Sequence, residues 1–294
     1  MILCIEPDSK NFRDTKIFRH AGDLSLRLDT FDPRLLSFGA AHVDIDLRDC
    51  AFVLPSAALW CVVYLALASK RGSHCRLLVP RNTGVCVFLK SLGLFDILKD
   101  CRVEVDDRNI YGGIDTKTIL PITRFETTAD AQDITNKTFA RLQSSGLGAA
   151  NLTSVVSELF SELATNAAEH SESAVGAFGC VQFFLGGGAP RFTCTVADGG
   201  IGIYESLCKN EELKSQVSYD WDALELAVRE RVSGTGNPHR GLGLYGVSED
   251  VRRKDHSLLL HSGLGSLEIN ENLDSSARRT RLFPGTLAFL SIPS

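Results

Sequence analysis

The sequence predicts an α/β protein of two domains, and three observations carry that prediction. The chain has 294 residues, more than a single domain usually holds. Between residues 42 and 92, strand-like and helix-like runs alternate, the pattern of a sheet with helices packed on it. From about residue 130 the pattern changes to long amphipathic helical runs followed by short strands, which marks a second, differently built domain. The domains are placed at 1–125 and 126–294.

The first 34 residues show no readable period. Residues 42–48 (HVDIDLR) alternate Val43, Ile45 and Leu47 with polar neighbours, a half-buried strand. Pro55 and Ser56 then open an apolar helix over 57–69, proline being favoured at helix starts, and Gly72 ends it. Residues 75–80 (CRLLVP) read as a buried strand, 85–92 as a helix closed by Gly93, and 101–105 as an edge strand. Residues 119–125 read as a strand entering the second domain. Helices follow at 131–144 and 152–170. The second is strongly amphipathic, with Val155, Val156, Leu159, Phe160, Leu163, Ala164 and Ala167 at three and four spacing. Strands at 181–185 and 192–197 are joined by a GGGAP turn. Helices at 224–232 and 242–253, a hairpin from 257–261 and 266–270, and a last strand at 286–292 complete the reading.

Composition excludes several classes. Hydrophobic residues make up 44% and charged residues 23%, an ordinary globular balance, and the net charge is −5. That acidity supplies no footprint for nucleic acid, which needs clustered Lys and Arg. The short runs Arg252-Arg253-Lys254 and Arg278-Arg279-Thr280-Arg281 fit a helix end and a charged loop. Nine cysteines occur without CxxC spacing, several inside apolar runs, so the expectation is a reducing, cytoplasmic setting without disulfides or a zinc site. The N-terminal run MILCIEPDSKNF reaches an acid and a proline too soon for a signal-peptide core. The apolar run 57–68 is too short to span a bilayer, so no membrane partner is expected.

Four short runs carry the chemistry. In ELATNAAEH (162–170), Glu162 and Asn166 stand four apart and project from one helix face. A carboxylate can position or deprotonate an attacking oxygen, and an amide oxygen one turn away can ligate magnesium. Read alone, Glu158, Glu162, Asn166 and Glu169 also make a plain solvated stripe. In DGGIG (198–202), Asp198 ends a strand, where a carboxylate can accept hydrogen bonds from an exocyclic amine and glycines admit a ring to the backbone. Read alone, the run makes a tight turn. In GTGNPHRGLGL (234–244), successive backbone N–H groups can form an anion nest, with Arg240 adding a bidentate contact, or the run is a surface loop. The chain closes on GTLAFLSIP (285–293). Residues 241–246 match GxGxxG, but they follow Asn237-Pro238-His239-Arg240 instead of a strand, which rejects a Rossmann fingerprint. His170, at the end of its helix, reads as a residue that caps carbonyls or packs.

Taken in this order, the four runs resemble the GHKL, or Bergerat-fold, ATPases, a family that includes type II topoisomerases, histidine kinases and anti-sigma-factor serine kinases. The resemblance covers about 135–294. It implies a Bergerat α/β sandwich, a mixed sheet with helices on one face, and ATP and Mg2+ as ligands. It further implies Glu162 as general base and Asn166 as magnesium ligand. Asp198 would read the adenine amine, with Gly200 and Gly202 lining the pocket. Phosphate contacts would lie around Arg240, Gly241 and Gly243, with 203–240 as a mobile lid and Thr286 near the adenine. Histidine kinases often carry a lysine three residues after the asparagine, where this chain has Glu169, and no phosphoacceptor helix precedes the domain, so that branch fits poorly. Residues 35–100 more loosely resemble a STAS domain, the fold of anti-sigma-factor antagonists, through HVDIDLRDCAFVLPSAALWCVV and SLGLFDIL. Antagonists are phosphorylated on a serine in this turn. Here it reads Leu54-Pro55-Ser56-Ala57, with proline at the usual acceptor position, so Ser56 reads as a helix N-terminal residue.

The expected protein is therefore an ATP–Mg-binding regulator, transferring phosphoryl to a serine or threonine of a protein partner or hydrolysing ATP. The alternative is a non-catalytic switch in which ATP only gates a protein interaction. The resemblance leaves a homodimer open.

Overall fold

The computed structural model describes residues 15–24, 42–106, 117–147, 150–185, 189–229, 243–271 and 277–294. Two sheets organise them. The first is parallel, with strands β1 (Thr15–Leu24), β2 (His42–Val53), β3 (His74–Leu78) and β4 (Glu104–Val105) lying side by side in chain order. Helix α1 (Pro55–Lys70) crosses from β2 to β3, and α2 (Thr83–Ser91) with α3 (Leu94–Asp100) crosses from β3 to β4. Sequential order steps each right-handed crossover the same way and so places these helices on one face. Val43, Ile45 and Leu47 are buried on that face as the alternation predicts. Between them, Asp44 and Asp46 are held by Arg76 (Nη2–Oδ2 2.6 Å) and Arg48 (2.7 Å). Asn82 starts α2 by accepting from the Gly84 and Val85 amides. Gly93 closes that run as expected, but the chain re-enters a helix at once as α3.

The second sheet holds β5 (Thr118–Phe125), β6 (Ala177–Phe184), β7 (Arg191–Asp198), β8 (Ser257–Asn270) and β9 (Arg278–Pro293) in the order β5-β6-β7-β9-β8. Helices α4 (Thr128–Ser145) and α5 (Ala150–His170) follow β5. Three short helices, α6 (Gly202–Cys208), α7 (Glu211–Lys214) and α8 (Asp220–Ala227), follow β7, and α9 (Gly243–Arg253) precedes β8. Because β5 pairs with β6, the change of sheet falls before Thr118, earlier than the position near 125 drawn from the sequence.

The expectation of a mixed sheet with helices on one face is corrected on both counts. All four pairings in the second sheet are antiparallel. Its strands are also buried on both sides. Cys194, Val196, Ala288 and Leu290 join the core of Phe160, Leu163 and Ala164 from α5, while Phe178, Cys180, Ala197 and Leu287 join α1. The cause is readable in α1, where every residue from Pro55 to Ala68 is buried. A helix apolar all round needs a neighbour on every side. It finds the parallel sheet below and the antiparallel sheet above.

Two further readings change. The predicted hairpin at 257–270 is one strand, β8, whose register with β9 slips between Ser262 and Gly265. The strand bends there around the start of α8. A Cβ on Gly265 would lie 2.8 Å from the Trp221 backbone nitrogen and 2.9 Å from the Asp220 carbonyl carbon, so the strand passes α8 there on a glycine. Helix α8 begins four residues before the predicted 224, because Asp222 accepts from the Ser218 and Tyr219 amides and sets its start there. The segment after β7, expected to be a lid, folds as α6–α8 around its own small core of Leu207, Val217, Ala223, Leu226 and Ala227. No disulfide joins the described cysteines, and burial pushes thiols such as Cys50 and Cys180 up to about 12, so these two pack as small hydrophobes. No described helix is long and apolar enough to cross a membrane.

Candidate functional site

At the end of β7 the chain turns sharply, and Asp198 is left almost wholly buried, 3% exposed. Its Oδ1 accepts from the Gly200 amide at 2.9 Å and the Thr286 amide at 3.3 Å. Both bonds favour the charged form, yet burial outweighs them and pushes the carboxyl up to about 7. Both fall on the same oxygen, so among the described residues Oδ2 is left available to a ligand.

The turn after Asp198 is braced from several elements. Gly199 N donates to Ser173 Oγ at 3.3 Å, and Ile201 N to Ser171 O at 2.8 Å. That second approach requires glycine at 200, where a Cβ would lie 1.8 Å from the Ser171 carbonyl oxygen. Beyond it, Ser262 of β8 accepts from Ile203 N at 2.8 Å and donates to Gly285 O at 3.1 Å. Its hydroxyl also lies 3.2 Å from Thr286 Oγ1. One side chain thus joins β8, β9 and the start of α6 around Asp198.

On the opposite side, α5 presents Glu162 and Asn166 one turn apart, and the first residue of α9 closes against them. A Cβ at Gly243 would stand 2.5 Å from Glu162 Oε2 and 3.3 Å from Asn166 Nδ2. The N-terminal, positive end of α9 therefore abuts the carboxylate and the amide. Burial, and second the neighbouring Glu169, raise the Glu162 carboxyl above its ordinary value. Asn166 Nδ2 is buried with no hydrogen-bond partner among the described residues. An amide in that state is under-satisfied, and its two ends are interchangeable by rotation, so an oxygen can be offered where the orphan nitrogen stands.

Between these two sides lies a cavity of about 870 Å³, counting the solvent at its mouth. Asn166, Asp198, Gly202, Gly243 and Thr286 line it, with Leu163, Ile203, Leu260 and Ala288 among its apolar walls. Five of the residues singled out in the sequence therefore meet in one cavity. Glu162 does not line it but stands against Gly243, which does, and Gly200 supports Asp198 from behind. Arg240 and Gly241 lie outside the described residues. Among the described residues no group of three His, Cys, Asp or Glu side chains could hold a metal ion. Magnesium would have to be held through Asn166, its ligand shell completed by phosphate oxygens and water.

The sequence reading missed four contributors. His170, read as a capping or packing residue, lines the cavity together with Ser171. His170 ends the Glu162–Asn166 helix and Ser171 follows it directly, so reading the same face one turn further would have reached the pair. Ser206 of α6 lines the cavity as well. Ser262 left no local signal, because it falls where a hairpin loop was expected. No protein-family model and no curated protein matches the chain.

Proposed function

We propose that the protein binds ATP with magnesium in this cavity and transfers the terminal phosphoryl group to a hydroxyl, of a partner's serine or threonine or of water. The carrying observation is the pairing of a buried Asp198, one oxygen unengaged among the described residues, with Asn166 in a single apolar-walled cavity, and Glu162 standing just outside it against Gly243. Leu163, Leu260 and Ala288 offer flat apolar surface to a purine, and Asp198 Oδ2 an acceptor for its exocyclic amine. The phosphates would then extend toward Asn166 and the start of α9, where backbone N–H groups favour anions. Asn166 would hold magnesium, which supplies neutralising charge for the phosphates. Glu162, its carboxyl raised above the ordinary value by burial and then by Glu169, would take the proton of the attacking hydroxyl. The hydroxyl oxygen bonds to the γ-phosphorus as the bridging oxygen leaves with ADP.

The same reading makes the second sheet with α4–α9 a Bergerat-type unit and the parallel sheet with α1–α3 a STAS-like unit. It gives Ser56 no acceptor role, since Ser56 lies in the first turn of α1, fully buried.

The test is a thermal-shift titration with ATP–Mg followed by turnover. The wild type is expected to gain Tm with ATP–Mg, and Asp198→Asn to show no gain. Glu162→Ala is expected to bind ATP but lose γ-phosphate release about a hundredfold or more. A wild type that shows no ATP-dependent rise removes the proposal. Intact binding with equally negligible turnover in wild type and Glu162→Ala leaves the ATP-gated switch in its place.

A further inference from the structure

The turn that carries Asp198 has two sides, and among the described residues hydrogen bonds hold one of them. Ser171, Ser173 and Thr286 engage it from the cavity's own elements. Behind it lies α1, a helix of the parallel-sheet unit. A Cβ built on Gly199 would lie 2.8 Å from Leu67 Cδ1, 3.0 Å from Cγ and 3.1 Å from Cδ2. All three branch atoms of the leucine face the glycine, so rotating one methyl away would not relieve the contact. Leu67 is 3% exposed, and its neighbours along α1 are buried in the core that also contains β2 and β3.

We propose that Leu67 is a positioning residue for the cavity. From a helix that belongs to the other sheet, its side chain fills the space behind Gly199 and fixes the turn that presents Asp198. Gly199 is then glycine because Leu67 occupies the place of its side chain. The inference rests on the nucleotide reading of the cavity for its main readout. It goes beyond that reading by making the N-terminal unit part of the binding site's support. Packed interiors transmit strain, so a shift of α1 against the second sheet would reach the turn that carries Asp198 through this contact.

The experiment is a double-mutant cycle on the full chain, with ATP–Mg affinity measured by calorimetry. Leu67→Ala leaves a hollow behind the turn, and Gly199→Ala forces a methyl into an occupied space. Each is expected to weaken ATP about tenfold. Together, the added methyl sits in the vacated space, and affinity is expected to return to within about threefold of wild type. Leu59→Ala, two turns away in the same buried helix, serves as the stability control. It is expected to lower Tm comparably while leaving affinity within about twofold of wild type. The inference is overturned if the double variant is as weak as the two single losses combined, or if Leu59→Ala weakens ATP as much as Leu67→Ala. The cycle has a second readout without nucleotide, hydrogen exchange at the Gly199, Gly200 and Ile201 amides. Faster exchange is expected in each single variant, with recovery in the double. Unchanged exchange overturns the inference even if ATP binds, whereas recovered exchange in a protein that does not bind ATP sinks the nucleotide reading alone.

Discussion

Asp198 is held in the protein at a cost, and the sign of that cost can be followed with pH. Burial raises its carboxyl from 3.8 to about 7. Below about pH 3.8 it is protonated in both folded and unfolded chains. As pH rises from there, the unfolded chain ionises while the folded one holds its proton, so this residue's contribution to stability falls until about pH 7. Above that the penalty is constant, on the order of 4 kcal/mol. Asp198→Asn keeps an acceptor for the Gly200 and Thr286 amides and removes the charge. The nucleotide-free variant is therefore expected to melt several degrees above wild type at about pH 8, with the difference vanishing near pH 4. ATP should show the opposite preference. An amine donor favours the ionised carboxylate, so wild-type affinity is expected to fall by up to about tenfold per pH unit below 7. Calorimetry in buffers of different ionisation heat should register a proton released on binding near neutral pH. A pH-independent affinity would argue that Asp198 does not face the amine.

At the scale of elements, Ser262 is the point where β8, β9 and α6 are fastened, and it is buried. Ser262→Ala would leave the Ile203 amide without its acceptor. The expected loss is about 1–3 kcal/mol, measured as a lower urea midpoint with unchanged slope. This residue also shows where the sequence stopped being legible. The alternation at 42–48, the amphipathic run of α5 and the acid at the end of β7 are local patterns, and the corresponding elements stand where those patterns put them. Ser262 acts across the sheet to residues about sixty positions earlier and twenty later, and no local period records such a partner. Strand β8 read as a hairpin because Gly263 and Gly265 look like a turn, when they bend a strand around Asp220. Strand β6 starts at Ala177, before the predicted 181, because a strand buried on both faces shows no alternation at its ends. Helices α6 and α7 are too short for a period to register. Of the candidate site, the residue types and their order were readable. The closure of α9 onto Glu162 and Asn166 was not, since it depends on how two helices meet.

At the scale of the whole molecule, α1 ties the two sheets together. It is apolar around its full circumference, and Phe178, Cys180, Ala197 and Leu287 on the lower face of the antiparallel sheet are fully buried in the core it shares. Neither half can satisfy that surface alone. A chain of residues 117–294 would carry the whole candidate cavity, yet it would expose those four residues together with Ile122 as one apolar patch. Patches of that kind are rare on monomers and drive association. The fragment is expected to aggregate, or to bind a hydrophobic dye and melt without cooperativity, and co-expression with residues 1–116 is expected to recover a soluble complex that responds to ATP–Mg. Size-exclusion chromatography and circular dichroism on the fragment decide between the outcomes. A monomeric, cooperatively melting fragment with wild-type ATP affinity would mean that the lower face tolerates water and that α1 is an attachment. Leu67 could not then position Asp198, whereas an aggregating fragment rescued in trans makes the parallel-sheet unit part of the machinery that holds the cavity in shape.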